Sequence, residues 1–155
     1  MGVSMTCADL MTCNPLYCGP DDPISRVAHL MDSANVGAIP VLSADRELIG
    51  MVTDRDIAIR VAAKGLEPTI PVNQVMSRKL VFCRYAEEAS IAIELMAQQK
   101  IRRMPIVDDD GRLVGIISQA DVARKLGVEA IANLVARISN GQNAAELVYD
   151  HVLAE

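Results

Sequence analysis

The chain of 155 residues is poor in aromatic side chains, with three tyrosines, one phenylalanine and no tryptophan. Bases of single-stranded nucleic acids stack on aromatic rings, so little of this sequence could form such a platform. An excess of basic charge is also missing, because the net charge at pH 7 is −5. Both shortages argue against nucleic acid as a partner, since phosphate backbones are bound through positive charge.

Long apolar runs are absent as well. No stretch approaches the ~20 apolar residues that a membrane-spanning helix needs. The first residues also lack the basic segment and apolar core of a secretory signal. We therefore expect a cytoplasmic protein without a membrane partner. Apolar residues make up 51% of the sequence, which is typical of a globular chain with large buried faces.

Cysteine is scarce and its spacing is uninformative. Cys7, Cys13, Cys18 and Cys83 include no Cys-x-x-Cys pair, the usual signature of a zinc or thioredoxin-like site. In a reducing compartment these residues are expected to act as small, partly buried apolar side chains. A thiol-responsive switch or a metal site built from the four cysteines is the alternative. No histidine lies in a catalytic pattern, so we predict no enzymatic activity.

What the sequence does contain is an internal repeat. Gly50–Asp56 reads GMVTDRD and Gly115–Asp121 reads GIISQAD, an offset of 65 residues that holds without a gap for most of the chain. Self-similarity of this kind is the signature of a duplicated structural unit. Each copy is near the size at which independent folding becomes marginal. We therefore expect the two copies to share one core.

Both copies predict the same order of elements. Apolar residues at i, i+3, i+4 and i+7 predict amphipathic helices that start near Ile24 and Glu88. The remaining predicted elements are short strands at 16–18 and 80–83, strands at 38–42, 48–52, 104–107 and 113–117, and helices at 54–63 and 119–126. Each unit is thus β-α-β-β-α, and the fold class is α+β. Predicted domains are 6–65, 71–127 and a helical extension, 128–155, broken at Asn140–Gly141.

The repeated stretch places a hydroxyl and a carboxylate at the start of a helix in each copy. Thr53 and Ser118 lie where strand becomes helix, and Asp56 and Asp121 follow three residues later. One interpretation is a capping box, in which these side chains bond the free N–H groups of the helix terminus. The other is nucleotide binding, because a helix N-terminus favours phosphate and a carboxylate accepts both ribose hydroxyls.

These motifs resemble a known family. Ile-Pro-Val before Leu-Ile-Gly-Met-Val-Thr-Asp-Arg-Asp, repeated as Met-Pro-Ile-Val before Leu-Val-Gly-Ile-Ile-Ser-Gln-Ala-Asp, is similar to the cystathionine β-synthase (CBS) domain. The tandem, over roughly Thr6–Leu126, resembles the regulatory CBS pair of inosine monophosphate dehydrogenase and of the AMP-activated kinase γ subunit. The resemblance implies pseudo-twofold-related repeats with clefts for adenosine compounds: AMP, ADP, ATP, NAD or S-adenosylmethionine.

The resemblance also assigns roles to individual residues. It implies that Asp56 and Asp121 hold ribose, with Thr53 and Ser118 near ribose and phosphate. Strand edges that would present backbone to the adenine are Ala38, Ile39, Pro40, Arg103, Met104 and Pro105. Arg103 would also bind phosphate, which its counterpart Ala38 cannot do. Arg55 likewise aligns with Ala120. The two clefts are therefore not expected to be equivalent. Tyr17 and Phe82 occupy matched positions and either wall the base or pack in the core.

The function expected from this resemblance is that of a freestanding, non-catalytic homodimer. It would bind an adenine nucleotide and signal energy or metabolite state to an unidentified regulated protein. A constitutive dimeric interaction module with vestigial clefts is the first alternative, and the thiol- or metal-responsive switch is the second.

Overall fold

The structure, a computed structural model, describes the backbone of residues 4–153 and the side chains of residues 4–140. The helices are α1 (Cys7–Leu10), α2 (Ile24–Ala34), α3 (Asp54–Ile57), α4 (Ala89–Gln99), α5 (Gln119–Leu126) and α6 (Val128–Leu153). The strands are β1 (Thr12–Cys13), β2 (Ala38–Leu42), β3 (Leu48–Thr53), β4 (Cys83–Arg84), β5 (Arg103–Val107) and β6 (Leu113–Ser118). A π-helical turn, Ala58–Ala62, continues α3, and a 3-10 helix spans Val72–Gln74.

The predicted α+β class is confirmed, and the order helix, strand, strand, helix recurs in both repeats. Several details differ from prediction. The strand expected at 80–83 is found at Cys83–Arg84. The expected strand at 16–18 is reduced to one parallel bridge between Cys18 and Val41. The helix expected at 54–63 is α-helical only to Ile57 before the π-helical turn begins.

The amphipathic helices bury the faces that their sequence periodicity predicts. On α2 the buried residues are Ile24, Val27 and Met31. On α4 they are Ala89, Ala92, Met96 and Ala97. Each helix ends on a residue in the left-handed conformation, Asn35 (φ 51°) and Lys100 (φ 56°), whose N–H bonds carbonyls of the last turn. These caps lie 65 residues apart, so the repeat extends to the helix ends.

The strands form two sheets. In the two-stranded sheet, β2 runs antiparallel to β3, with Ala38 opposite Thr53 and Pro40 opposite Met51. The four-stranded sheet has the order β1-β6-β5-β4. In β2 and in β5 the first residue is half-buried and the next four are buried. The proline at the centre of each strand is therefore buried. Each of these strands is paired along one edge, and its other edge has at most a short stretch of backbone pairing.

The chain divides into two compact units that do not follow the sequence repeats. The α6 unit comprises the described residues up to Cys13, Val81–Ile106, and the described residues from Gly115 onward. The β2–β3 unit comprises Asn14–Leu80 and Val107–Val114. The α6 unit combines most of the second repeat with α1–β1, the segment at the start of the first repeat. The β2–β3 unit combines most of the first repeat with the region of the 3-10 helix, at the start of the second repeat. The two repeats thus exchange these segments. The predicted boundaries at 6–65 and 71–127 follow the repeat rather than this exchange.

Backbone pairing holds each exchanged segment in its unit. In the α6 unit, Thr12 pairs with Ile116 and Cys13 with Gly115. In the β2–β3 unit, Ser77 exchanges two backbone hydrogen bonds with Met51, at 2.8 and 3.0 Å. Thr12 and Ser77 are equivalent residues, so the two units use the same contact.

The C-terminal extension is one helix, and the predicted break at Asn140–Gly141 is wrong because α6 runs through it. A single glycine in a helix interior costs only about 1 kcal/mol, which good helix formers on both sides offset. Helix α6 packs against α4 and α5 and buries Leu134 and Ile138. Residues beyond 140 lie outside the described side chains. Within the described chain, no helix combines the length and apolarity needed to cross a membrane.

Candidate functional site

The first hydroxyl–carboxylate pair forms a capping box at the junction of β3 and α3. Thr53 Oγ1 accepts the N–H of Asp56 at 3.1 Å, and Asp56 Oδ2 accepts the N–H of Thr53 at 2.9 Å. The second carboxylate oxygen, Oδ1, lies 3.8 Å from Nε of Arg60, an ion-pair distance rather than a hydrogen bond. The Asp56 side chain retains 17% exposure. One of its oxygens therefore has acceptor capacity to spare.

The second pair also forms a capping box, but its carboxylate is far more engaged. Asp121 Oδ2 accepts the N–H of Ser118 at 2.7 Å and the Ser118 hydroxyl at 2.8 Å. Oδ1 accepts the Thr12 hydroxyl at 2.7 Å and a hydrogen bond from the Arg124 guanidinium. Asp121 is only 1% exposed. The capping interpretation is thus confirmed in both copies, since both reciprocal bonds are present.

The surroundings of Asp121 favour its charged form. Burial opposes ionisation, and it is the largest single influence on this carboxyl. Hydrogen bonds from Thr12 and Ser118, together with the charge of Arg124, outweigh it and hold the pKa of Asp121 below its ordinary value. Asp121 is therefore a buried carboxylate whose charge is compensated within its own unit.

The predicted strand edges belong to β2 and β5, the strands that lie next to β3 and β6 in their sheets. Ala38 lies opposite Thr53, which puts the start of β2 beside the first capping box. The Ile39 and Met104 side chains are fully buried, so only their backbone is available to a ligand. Pro40 and Pro105 are buried too, and the Pro40 carbonyl already accepts the Cys18 N–H at 3.0 Å. Arg103 is half-buried at the start of β5.

The basic residues have distinct positions. Arg55 is exposed on α3, one residue before Asp56. Arg60 donates to the Val75 carbonyl at 2.7 Å, and its equivalent, Lys125, donates to the Asp9 carbonyl. Both acceptors belong to the exchanged segments. Arg60 and Lys125 thus secure those segments rather than standing free in solvent.

The matched aromatics lie at the surface. Tyr17 is 43% exposed and Phe82 is 42% exposed, which rules out the core-packing interpretation for both. The Arg46 guanidinium stacks over the Tyr17 ring, 5.2 Å from its centroid. An exposed ring remains available to an apolar or planar ligand.

Sequence reasoning missed Thr12, Arg124 and the contact of Arg60 with Asp56. Thr12 lies 109 residues from the carboxylate that it touches. A signal was nonetheless present, because Met11-Thr12 recurs as Met76-Ser77 at the offset of 65. A hydroxyl repeated outside the main motif indicates a role that the motif itself does not supply.

The cysteines divide into a pair and two separate residues. The interaction between the thiols of Cys7 and Cys83 lowers the pKa of Cys7 and raises that of Cys83, and Cys7 Sγ also lies 3.8 Å from the Glu88 carbonyl oxygen. Cys18 is buried against the Pro40 carbonyl, and burial raises its pKa to about 12. Cys13 is exposed. Among the residues that the structure describes, no three His, Cys, Asp or Glu side chains are grouped to hold a metal ion.

Comparison with known proteins gives consistent matches. The CBS domain model matches residues 7–63 and again residues 72–128. The CBS domain-containing protein YhcV of Bacillus subtilis is 41% identical over 133 residues, covering 85% of this chain and 94% of YhcV. Hypoxic response protein 1 of Mycobacterium tuberculosis is 33% identical over 137 residues, covering 86% of this chain and 93% of its own length.

Two solved structures share the fold. The crystal structure of Hypoxic Response Protein I with two coordinated zinc ions has a TM-score of 0.72 and 30% identity, covering 78% of this chain and 98% of that one. The crystal structure of CBSX2 in complex with AMP has a TM-score of 0.69 and 26% identity, covering 77% of this chain and 94% of that one. The matches therefore extend over both repeats.

Proposed function

Since this chain belongs to the CBS domain family, we propose that it is a regulatory CBS pair that binds an adenosine compound. The candidate ligands are AMP, ADP, ATP, NAD and S-adenosylmethionine, and residues 6–65 and 71–127 are its two functional repeats. Occupancy would alter the affinity for a regulated protein, because a ligand that favours one arrangement shifts the population towards it. The protein would act without catalysing a reaction.

The observation that carries the proposal is the free acceptor capacity of Asp56. Among the side chains that the structure describes, none donates a hydrogen bond to its Oδ1, which lies 3.8 Å from Nε of Arg60, while Oδ2 keeps the helix cap. A ribose diol needs a carboxylate acceptor that is held in place but not saturated. The AMP complex of CBSX2, a relative in fold at 26% identity, supports an adenosine ligand.

Calorimetric titration of the full chain with AMP, ATP, NAD and S-adenosylmethionine tests the proposal. We expect at least one of them to bind, and Asp56→Asn to weaken that binding. Loss of a charge-assisted hydrogen bond costs about 1.5–3 kcal/mol, which corresponds to roughly ten- to more than a hundredfold in Kd. At any site that Arg103 contacts, Arg103→Gln should weaken the binding of phosphorylated ligands more than the binding of unphosphorylated adenosine, because guanidinium matches phosphate geometry.

The matched control is Asp54→Asn, in the same helical turn. Asp54 lies outside the Thr53–Asp56 pair, and its carboxylate accepts the N–H of Arg55 at 2.8 Å. Asp54→Asn therefore removes the same charge without altering the carboxylate assigned to ribose, so nucleotide affinity should not change. If Asp56 serves only as a cap, Asp56→Asn will lower stability by about 1 kcal/mol or less and leave binding intact. Absence of binding for all four ligands at millimolar concentration would reject the proposal in favour of an interaction module with vestigial clefts.

A further inference from the structure

Asp56 and Asp121 are equivalent in the repeat, but they differ in the hydrogen bonds that they already accept. An ionised carboxylate offers about four lone-pair positions to donors. Asp121 fills them with the Ser118 N–H, the Ser118 hydroxyl, the Thr12 hydroxyl and the Arg124 guanidinium. Asp56 accepts the Thr53 N–H and has its other oxygen 3.8 Å from Arg60. A ribose diol would have to displace donors from Asp121 but not from Asp56.

The groups that cover Asp121 are themselves at the surface. Thr12 is an exposed residue, and the Arg124 side chain is 64% exposed, whereas that of Asp121 is 2% exposed. The carboxylate therefore lies beneath two surface side chains rather than deep in the core. Displacing these two side chains would remove two of the four donors on Asp121, both of them from Oδ1.

The β2–β3 unit shows the same backbone arrangement without this cover. Ser77 pairs with Met51 as Thr12 pairs with Ile116. No hydrogen bond joins the Ser77 hydroxyl to Asp56 among the side chains of residues 4–140. The position of Arg124 is taken by Ile59, which has no charge to offer. The difference between the two carboxylates therefore arises from side chains, not from a different path of the backbone.

We propose that Thr12 and Arg124 form an internal latch, in which the Thr12 hydroxyl takes the place of a ribose hydroxyl on Asp121 and Arg124 neutralises it. This inference rests on the proposed function and adds which site is used. A nucleoside phosphate binds at Asp56 in the resting protein, and the Asp121 site accepts one only when the latch is open. The latch is an autoinhibitory contact between β1, at the start of the chain, and α5.

The test removes both polar groups of the latch in the α6 unit. Thr12→Val removes the hydroxyl at constant shape, and Arg124→Ile copies the residue of the first repeat. The matched control is Ser77→Val, which removes a hydroxyl that does not touch Asp56. Each full-length variant is titrated calorimetrically with AMP, after its melting curve shows it folded at the titration temperature.

We expect AMP to bind the wild-type chain at one site, with affinity reduced about tenfold or more by Asp56→Asn and unchanged by Asp121→Asn. The Thr12→Val/Arg124→Ile variant should bind a second AMP per chain, and adding Asp121→Asn should abolish that second event. Ser77→Val should titrate as the wild type does.

Other outcomes separate the latch from the proposed function. If Asp121→Asn weakens AMP binding to the wild type, or the double variant keeps the wild-type stoichiometry, the latch is refuted while nucleotide binding stands. If only the double variant binds any of AMP, ATP, NAD and S-adenosylmethionine, and does so through Asp121, the latch stands and the proposed function of the unmodified chain fails. If neither chain binds AMP, the titrations are repeated with the other three ligands, and absence of binding for all of them refutes both.

Discussion

Among single residues, Gly50 and Gly115 show most directly why the repeated motif begins with glycine. A Cβ added to Gly115 would overlap Sδ of Met11 and lie 2.7 Å from its Cγ and 3.0 Å from the Thr12 carbonyl oxygen. A Cβ on Gly50 would meet Met76 and the Ser77 carbonyl oxygen, at 3.2 Å, in the same way. Glycine is required here because the exchanged segment packs directly on the strand backbone.

Gly115→Ala is therefore expected to destabilise the protein by about 1–3 kcal/mol, the usual range for overpacking. The methionine can move, but the Thr12 carbonyl is held by the pairing of β1 with β6. Urea unfolding followed by circular dichroism measures the change. Gly19→Ala is the control, since the nearest atom to its added Cβ, Oδ2 of Asp22, is 3.7 Å away. Equal stability of Gly115→Ala and wild type would show that the segment does not press on β6.

At the scale of secondary-structure elements, helix α1 illustrates how a short helix is held by its cap and by contacts with residues distant in sequence. Thr6 caps it in a capping box with Asp9. Cys7 then donates its N–H to the Glu87 carbonyl at 2.8 Å, and Ala8 donates to the Tyr85 carbonyl at 2.9 Å. These bonds bring the Cys7 thiol to Cys83 of β4. A helix of one turn could not persist in water without such support.

The thiol pair leads to a prediction about the thiol-switch alternative. Cys7 and Cys83 are 0% and 1% exposed, so a mild oxidant such as hydrogen peroxide should modify exposed Cys13 first. We expect oxidant and zinc chelator to leave the melting temperature and oligomeric state unchanged in Cys13→Ser. Mass spectrometry and thermal melting provide the two readouts.

Cys7→Val supplies the control, because valine occupies the equivalent position, Val72, where it is fully buried. The contrary result is that oxidation shifts the melting temperature of Cys13→Ser but not that of Cys13→Ser/Cys7→Val. That result would instead identify a Cys7–Cys83 disulfide. In that case the thiol-responsive function would replace the structural role. A shift on chelation would support a metal-responsive function.

For the molecule as a whole, homodimerisation remains a prediction. The helices that cover each unit keep large apolar side chains at the surface, among them Ile91 on α4, Val135 on α6 and Ile59 on the π-helical turn. We expect a dimer that uses the repeat helices, with an interface of at least about 1,000 Å². Light scattering at micromolar concentration should give the dimer mass, and Ile91→Glu should reduce it if α4 contributes. A monomeric wild type at that concentration would contradict the prediction.

The sequence by itself determined the features that depend on local pattern. Apolar periodicity identified α2 and α4 with their buried faces, since that periodicity records which side of a helix meets the core. The ungapped repeat identified the duplicated unit, and the Thr53–Asp56 and Ser118–Asp121 pairs were correctly placed at helix starts. The break predicted at Asn140–Gly141 failed because one glycine costs a helix only about 1 kcal/mol, and α6 continues through it. The sequence also left capping and ribose binding as two open interpretations of the same residues.

Only the tertiary structure decided which distant segments meet. The exchange of the α1–β1 segment into the unit of the second repeat brings Thr12 to Asp121 across 109 residues, and no local periodicity records such a pairing. Strand register and backbone packing select it, through the close approach of Met11 to Gly115 and of Met76 to Gly50. Identical motifs consequently acquire different surroundings. Asp121 is saturated by its neighbours and Asp56 is not, because the residues that make the difference, Thr12 and Arg124, lie outside the repeated motif.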